Sequence, residues 1–202
     1  MNDFFQVFGL ERRLGIDAAA LQRRFYELSR QWHPDFHQTA PPAEQARALE
    51  ASARVNAAYR ALRDPLARVE YLVRLEEGRD TKEGAAVKPQ APPELLAEMF
   101  EIQEALEAVR AEAEAGNLAA AAGASLAAQR QALVDRQADT EARIVGPLSR
   151  AWDTAAADAR PAALAALRQA LATRAYLRTV IDDLGAALGE GHEEEHVAHR
   201  RD

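Results

Sequence analysis

His33 and Asp35, separated by Pro34, are the residues of this chain whose types and spacing best suit chemistry. An imidazole beside a carboxylate could transfer protons, but general acid–base catalysis needs a pocket and a third group that orients the pair. No second cluster of histidine or serine accompanies them, and the chain has no cysteine. A recognition loop fits better, because proline fixes the backbone and leaves the flanking side chains little freedom to lose on binding. We therefore expect a binding site rather than an enzyme.

The remaining histidines do not indicate a metal site. His37 lies in the same loop, and three more lie in the C-terminal tail, at His192, His196 and His199. Their helical spacing occurs in a glutamate-rich tail, where solvated chain is the simpler interpretation. Without cysteine there are no thiolate ligands and no disulfides. The sequence predicts no metal and no other cofactor.

Two predicted helices must hold this loop in place. Asp17 suits the N-cap of a helix that runs to about Trp32. Several prolines prevent that helix from continuing through residues 33–42, and further helices are expected over 43–62 and 66–75. The apolar residues of the first helix share one face, at Leu21, Phe25, Leu28 and Trp32.

The opposite side of that first helix carries Arg23, Arg24 and Arg30. Alone, such a stripe is usually a solvated helix face. Because it leads directly into His33 and Asp35, we interpret it as a cationic surface for an acidic partner protein.

Composition limits the class of protein. The chain has 202 residues, of which 48% are hydrophobic and 28% charged, an ordinary balance for a globular protein. No apolar run approaches the roughly 18 residues of a membrane span, and the N-terminus lacks the pattern of a signal peptide. The net charge is −7, with +2 over residues 1–75 and −9 over the rest, which argues against nucleic acid as the main partner. We expect a cytoplasmic protein without a membrane or nucleic-acid partner.

A second domain is predicted after a linker. Residues 76–93 are polar and rich in glycine and proline, which is typical of an interdomain linker. Residues 94–188 then show long helical periods with short connections, which favour an antiparallel three-helix bundle. Gly146-Pro147 must kink or interrupt the middle helix, and residues 189–202 have little to bury and should be disordered. The three expected helices are 94–115, 118–157 and 161–189.

The first helix of that bundle has apolar residues on two sides. One side provides the stripe that a bundle core requires. A second apolar pair, Leu96 and Phe100, is rotated about 100° from that stripe. Glu101 and Glu104 flank the pair, and an exposed apolar pair bordered by carboxylates is typical of a protein-binding patch. A wide core face would use the same residues, and the pattern alone does not separate the two interpretations.

Residues 1–75 resemble a J-domain, in which a helical hairpin with a basic helix presents the tripeptide His33-Pro34-Asp35. The opening run FQVFGL at 5–10 and the segment NAAYRALRDPLARVEYL at 56–72 are similar to the HscB family of J-domain co-chaperones. The resemblance implies an all-α chain, with an N-terminal J-domain and a C-terminal three-helix bundle. It also implies that an Hsp70 chaperone is bound, and its ATPase stimulated, by His33, Pro34, Asp35, Arg23, Arg24 and Arg30.

The second domain of that family binds the scaffold protein on which iron–sulfur clusters are assembled. The run PELLAEMFEIQE at 93–104 is similar to the family's binding segment, although Ala97 and Gln103 depart from it. Tyr176, on the last helix, corresponds to a family aromatic beside the same patch. The positions that match the binding segment are Leu96, Phe100, Glu101 and Glu104.

The expected function is therefore that of a co-chaperone which brings the cluster scaffold protein to Hsp70 for cluster transfer. The alternative is a general J-domain protein that presents unfolded clients to Hsp70. Such proteins usually carry Gly/Phe-rich or cysteine-rich zinc segments, and this sequence has neither.

Overall fold

The computed structural model describes residues 3–78 and 120–188, together with Phe100, Glu104 and Glu107. Within those residues the regular structure is helical and contains no strand, which confirms the all-α class. The rest of the helix expected over 94–115, most of the expected linker and the tail lie outside the described residues. The helices are α1 (Phe4–Val7), α2 (Ala18–Gln31), α3 (Pro42–Arg63), α4 (Pro65–Glu76), α5 (Ala120–Arg143), α6 (Ser149–Thr154) and α7 (Arg160–Ala187), with a 3₁₀ turn at Pro34–His37 and a π-helical turn at Ile144–Leu148.

The described residues fall into two compact units. The first contains residues 3–78 together with 143–168, and the second contains residues 120–142 and 169–188. The first unit is thus built from two separate stretches of sequence. The sequence predicts two domains that are each continuous along the chain, a J-domain over 1–75 and a bundle over 94–188.

Side-chain caps define the helix ends of the first unit. Asp17 caps α2 as predicted, and its Oδ1 accepts a hydrogen bond from the backbone nitrogen of Ala19 at 2.9 Å. Asp64 separates α3 from α4 and accepts from the backbone nitrogen of Ala67 at 2.8 Å. Gly9 follows α1 with φ at +68°, a conformation that glycine adopts without steric cost. Local sequence therefore sets these boundaries.

α2 and α3 pack together through the apolar face that the periodicity predicts. Leu21 and Leu28 of α2 are buried, as is Val55 of α3. The rings of Phe25 and Tyr59 stack with their centroids 4.0 Å apart. This helix pair holds both ends of the loop that contains His33.

α6 belongs to the first unit because its side chains bond to the stretch before α2. The carboxylate of Asp153 accepts hydrogen bonds from the backbone nitrogens of Leu14 and Gly15, each at 2.7 Å. The indole of Trp152 is buried and donates to the carbonyl oxygen of Arg12 at 3.1 Å. These bonds join residues that are distant in sequence.

Arg68 ties the same stretch to α4. Its buried guanidinium donates to the carbonyl oxygen of Leu14 and, at 2.7 Å, to that of Leu62. Burial lowers the pKa of Arg68, while the carboxylates of Asp64 and Asp153 act in the opposite direction.

The interruption expected at Gly146-Pro147 is the π-helical turn that separates α5 from α6. Pro147 has no N–H to donate, so the α-helical hydrogen-bond pattern cannot continue past it. The carbonyl oxygen of Ile144 accepts the backbone N–H of Ser149 across this turn, and Ser149 Oγ donates to the same oxygen at 2.6 Å.

In the second unit, α5 packs against the C-terminal part of α7. Arg174 Nε donates to Glu141 Oε1 at 2.6 Å beside this contact. α5 and α7 correspond to two of the three helices expected for the bundle. Their shared core consists of Leu126, Leu133, Leu177, Val180, Ile181 and Leu184.

Candidate functional site

His33 begins the 3₁₀ turn that carries the candidate recognition residues. Its Nδ1 accepts a hydrogen bond from the backbone nitrogen of Asp35 at 3.3 Å, which makes His33 the N-cap of the turn. Pro34 occupies the first position of the turn, where a missing N–H costs nothing. Phe36 closes the turn by donating its backbone N–H to the carbonyl oxygen of His33 at 3.0 Å. The tripeptide is therefore held in one backbone conformation.

The side chains of His33 and Asp35 point into solvent. They are 53% and 70% exposed, with His33 Nδ1 and Asp35 Oδ2 lying 3.6 Å apart. Gln38 Nε2 donates to Asp35 Oδ1 at 3.3 Å. Such an open pair lacks the enclosure that acid–base catalysis requires, whereas both side chains can contact a partner protein.

The HPD loop, residues 33–41, is fastened to the helices on its other side. The ring of His37 stacks on that of Trp32 with centroids 6.2 Å apart, and its Nε2 lies 3.1 Å from the carbonyl oxygen of Gln31. Gln45 of α3 donates from Nε2 to the carbonyl oxygens of Gln38, at 3.0 Å, and of Ala40, at 2.8 Å. The loop is thus anchored at its back while His33 and Asp35 remain accessible.

The three predicted arginines lie on the exposed surface of α2. Arg24 is engaged with Glu27, whose Oε2 lies 2.8 Å from Arg24 NH1. The side chains of Arg23 and Arg30 make no hydrogen bond or ion pair with any other described residue. The two guanidinium groups are therefore available to an acidic surface.

Two exposed aromatic residues beside this site were not predicted from the sequence. Tyr26 is 61% exposed and lies between Arg23 and Arg30 on the helix surface. Phe36 is 67% exposed and directly follows Asp35. Tyr26 is an aromatic residue outside the apolar stripe of α2, and its position in that pattern could have identified it as exposed. Phe36 lies in a proline-rich loop without periodicity, so no comparable signal existed.

Three of the predicted scaffold-binding residues are described, namely Phe100, Glu104 and Tyr176. Phe100 and Glu104 are both helical and exposed. Phe100 is 69% exposed, the orientation that a binding patch requires. Leu96 and Glu101 lie outside the described residues. Tyr176 is half-buried and packs against the core shared by α5 and α7.

No three histidine, aspartate or glutamate side chains of the described residues are grouped in a way that could hold a metal ion. Over the same residues, none of the helices combines the length and the apolar character needed to cross a membrane.

The chain is similar to known proteins in two ways. Residues 3–71 match the DnaJ domain family. A relative from Bordetella petrii, described as a co-chaperone protein HscB homolog, is 52% identical over 71 residues, which is 35% of this chain and 42% of the relative. The match thus spans less than half of that relative's length.

Two solved structures extend the similarity beyond the J-domain region. The chaperone HscB from Vibrio cholerae is 27% identical, with a TM-score of 0.50, over 91% of this chain and 99% of its own. The human co-chaperone protein HscB has a TM-score of 0.56 over 92% of this chain and 82% of its own. At 23% identity, the human structure supports the fold alone.

Proposed function

We propose that this chain is a member of the HscB family of J-domain co-chaperones and that it stimulates ATP hydrolysis by an Hsp70 chaperone during iron–sulfur cluster assembly. The observation that carries the proposal is the fixed, exposed pair His33 and Asp35 at the end of the basic helix α2. Hydrolysis itself takes place in Hsp70, and the role of this chain is to bind.

The contacts of the HPD loop suit that role. Its 3₁₀ turn and the bonds from Gln45 fix the backbone before binding, so little conformational entropy is lost when the partner arrives. The carboxylate of Asp35 accepts one hydrogen bond, from Gln38, and has capacity for donors of the partner. Arg23 and Arg30 attract an acidic surface and orient the encounter.

We further propose that the second domain carries the cluster scaffold protein. Phe100 is an exposed apolar side chain with Glu104 one helical turn further on, which suits a small protein-binding patch. Leu96, Glu101 and Tyr176 are proposed to extend it. Holding scaffold and Hsp70 on one chain raises the effective concentration of each at the other. The chain has no cysteine, so the cluster remains the cargo of the scaffold protein.

Steady-state ATP turnover by the organism's own Hsp70 tests the first proposal. Wild type should stimulate turnover, and His33→Gln should abolish the stimulation because the exposed imidazole and the cap of the turn are both lost. His192→Gln is the matched control, since it makes the same substitution in the C-terminal tail, and it should stimulate like wild type. Equal stimulation by wild type and His33→Gln would refute the J-domain role.

Isothermal titration of the folded scaffold protein into the full chain tests the second proposal. Phe100→Ser should weaken saturable binding, whereas Val145→Ser, which alters an exposed apolar residue of the first unit, should not. Binding of a denatured client but not of the folded scaffold would instead support the general J-protein alternative.

A further inference from the structure

Phe36 is the most exposed of the large apolar side chains described in the first unit, at 67%. A single exposed apolar residue is ordinary on a protein surface and needs no explanation by itself. Its position beside Asp35 and its fixed orientation are what distinguish Phe36.

The 3₁₀ turn directs Phe36 away from the helices. Such a helix has three residues per turn, so successive side chains diverge by about 120°. His37 is turned inward, with a side chain only 19% exposed and a ring stacked on Trp32. Asp35 and Phe36 must then both face outward, on the side that presents the recognition pair.

Phe36 is also restrained before any partner binds. Its backbone N–H is bonded to the carbonyl oxygen of His33 at 3.0 Å. Its ring meets the ring of His33 edge to face, with centroids 6.0 Å apart and an interplanar angle of 67°. An aromatic side chain that is held in this way loses little entropy on binding, which is a property of interface anchors.

Tyr26 places a second aromatic ring on the cationic side of α2. Its ring is tilted against that of Phe25 with centroids 5.7 Å apart, and its hydroxyl accepts from Gln22 Nε2 at 3.3 Å. Aromatic residues and arginine are the types most enriched at the centres of protein interfaces. α2 and the HPD loop therefore present apolar area together with charge.

We propose that Phe36 is an affinity-determining anchor that enters an apolar recess on Hsp70 next to the surface receiving His33 and Asp35, with Tyr26 extending the apolar contact along α2. The proposal rests on the Hsp70 function proposed above. A buried ring at this point excludes water from the contacts of Asp35 and strengthens them. Phe36 thus determines affinity, whereas His33 triggers hydrolysis.

The test measures Hsp70 turnover over a range of concentrations of the full chain. Phe36→Ala should raise the half-saturating concentration about tenfold, because the complex then no longer buries this ring. The maximal turnover at saturation should match wild type, a split that distinguishes an anchor from the trigger. Phe36→Tyr, which keeps the ring, should stay close to wild type.

Two further variants serve as controls. Leu49→Ala removes an apolar side chain of α3 that is 62% exposed, similar to Phe36. It should leave the half-saturating concentration and the maximal turnover unchanged. His33→Gln should abolish maximal turnover. Fluorescence of Trp32 and Trp152 confirms that every variant is folded at the assay temperature.

Each other outcome overturns a defined part of the proposal. If His33→Gln does not stimulate turnover but Phe36→Ala has the half-saturating concentration of wild type, Phe36 is not an anchor and the proposed function stands. If His33→Gln also equals wild type, the proposed function itself is wrong. An equal effect of Leu49→Ala would make the loss non-specific. If wild type sediments as a dimer and Phe36→Ala as a monomer, the ring serves self-association instead.

Discussion

The carboxylate of Asp153 lies 2.7 Å from the backbone nitrogen of Leu14, although 139 positions separate the two residues. Gly15 donates to the same carboxylate, and a β-carbon at Gly15 would stand 3.0 Å from Asp153 Oδ2. A small residue at position 15 therefore permits this close approach. The relationship makes α6 part of the folded unit that presents the HPD loop.

Asp153→Ala should lower the free energy of unfolding of the first unit by about 2 kcal/mol, because two backbone N–H groups lose a charged acceptor. Trp32 and Trp152 are the two tryptophans of the chain, and both lie in this unit, so tryptophan fluorescence during urea unfolding reports on it. The control is Asp158→Ala, at an exposed carboxylate of the same unit, and it should change the free energy by less than about 0.5 kcal/mol. Similar losses in both variants would contradict the role of Asp153.

Arg24 should contribute less to Hsp70 binding than Arg23 or Arg30, because its guanidinium must first leave Glu27. We expect Arg23→Ala and Arg30→Ala each to weaken affinity roughly threefold at low salt, and Arg24→Ala to have a smaller effect. Titration at low and high ionic strength should show the larger effects shrinking as salt screens the charges. In a Glu27→Ala background, Arg24→Ala should become as costly as the other two, and an unchanged small effect there would rule out this explanation.

Gln45 should act as a positioning residue for the HPD loop. Gln45→Glu keeps the size of the side chain but replaces the amide donor with a carboxylate oxygen, which would face the carbonyl oxygens of Gln38 and Ala40. We expect the half-saturating concentration for Hsp70 stimulation to rise several-fold because the loop must be ordered on binding.

Glu50→Gln is the control for Gln45, since it exchanges the same two residue types at an exposed position of α3. It should behave like wild type. A half-saturating concentration for Gln45→Glu equal to that of this control would show that the loop is ordered without Gln45.

Tyr71 should make the first unit sensitive to alkaline pH. Burial raises the pKa of Tyr71 above its ordinary value of 10.0, although its hydrogen bond with the backbone nitrogen of Phe4 at 2.8 Å acts in the opposite direction. Above the pKa of the unfolded chain, the unfolded state releases a proton that the folded state retains. The contribution of Tyr71 to stability is therefore complete below about pH 10 and is lost as pH rises through the pKa that Tyr71 has in the folded state.

Urea unfolding of wild type and of Tyr71→Phe at neutral pH and above pH 10 measures this loss. The variant should be somewhat less stable at neutral pH because Phe4 loses its acceptor, yet its stability should fall less on going to alkaline pH. Parallel curves for the two proteins would exclude Tyr71 as the source of the sensitivity.

Local features of the sequence predicted much of the first unit. The cap at Asp17, the apolar period of α2 and the prolines of the HPD loop involve neighbouring residues, so each could be interpreted without the fold. The exposed ring of Phe36 and the inward ring of His37 could not, because a four-residue turn has no period to indicate its sides. The bonds of Arg68 and Asp153 to Leu14 could not be predicted either, because local sequence does not indicate which distant residues will pair.

The two-part construction of the first unit has a consequence for synthesis on the ribosome. Leu14 is made 139 positions before Asp153. At a translation rate of about 5–20 residues per second, roughly 7–28 s pass between them. During that interval the nascent chain exposes the backbone N–H groups of Leu14 and Gly15 and the carbonyl oxygen of Arg12, to which Trp152 later donates. α2 and α3 can therefore emerge and pair before their unit is complete. Full protection of this region against proteases should arise only after α6 has left the exit tunnel.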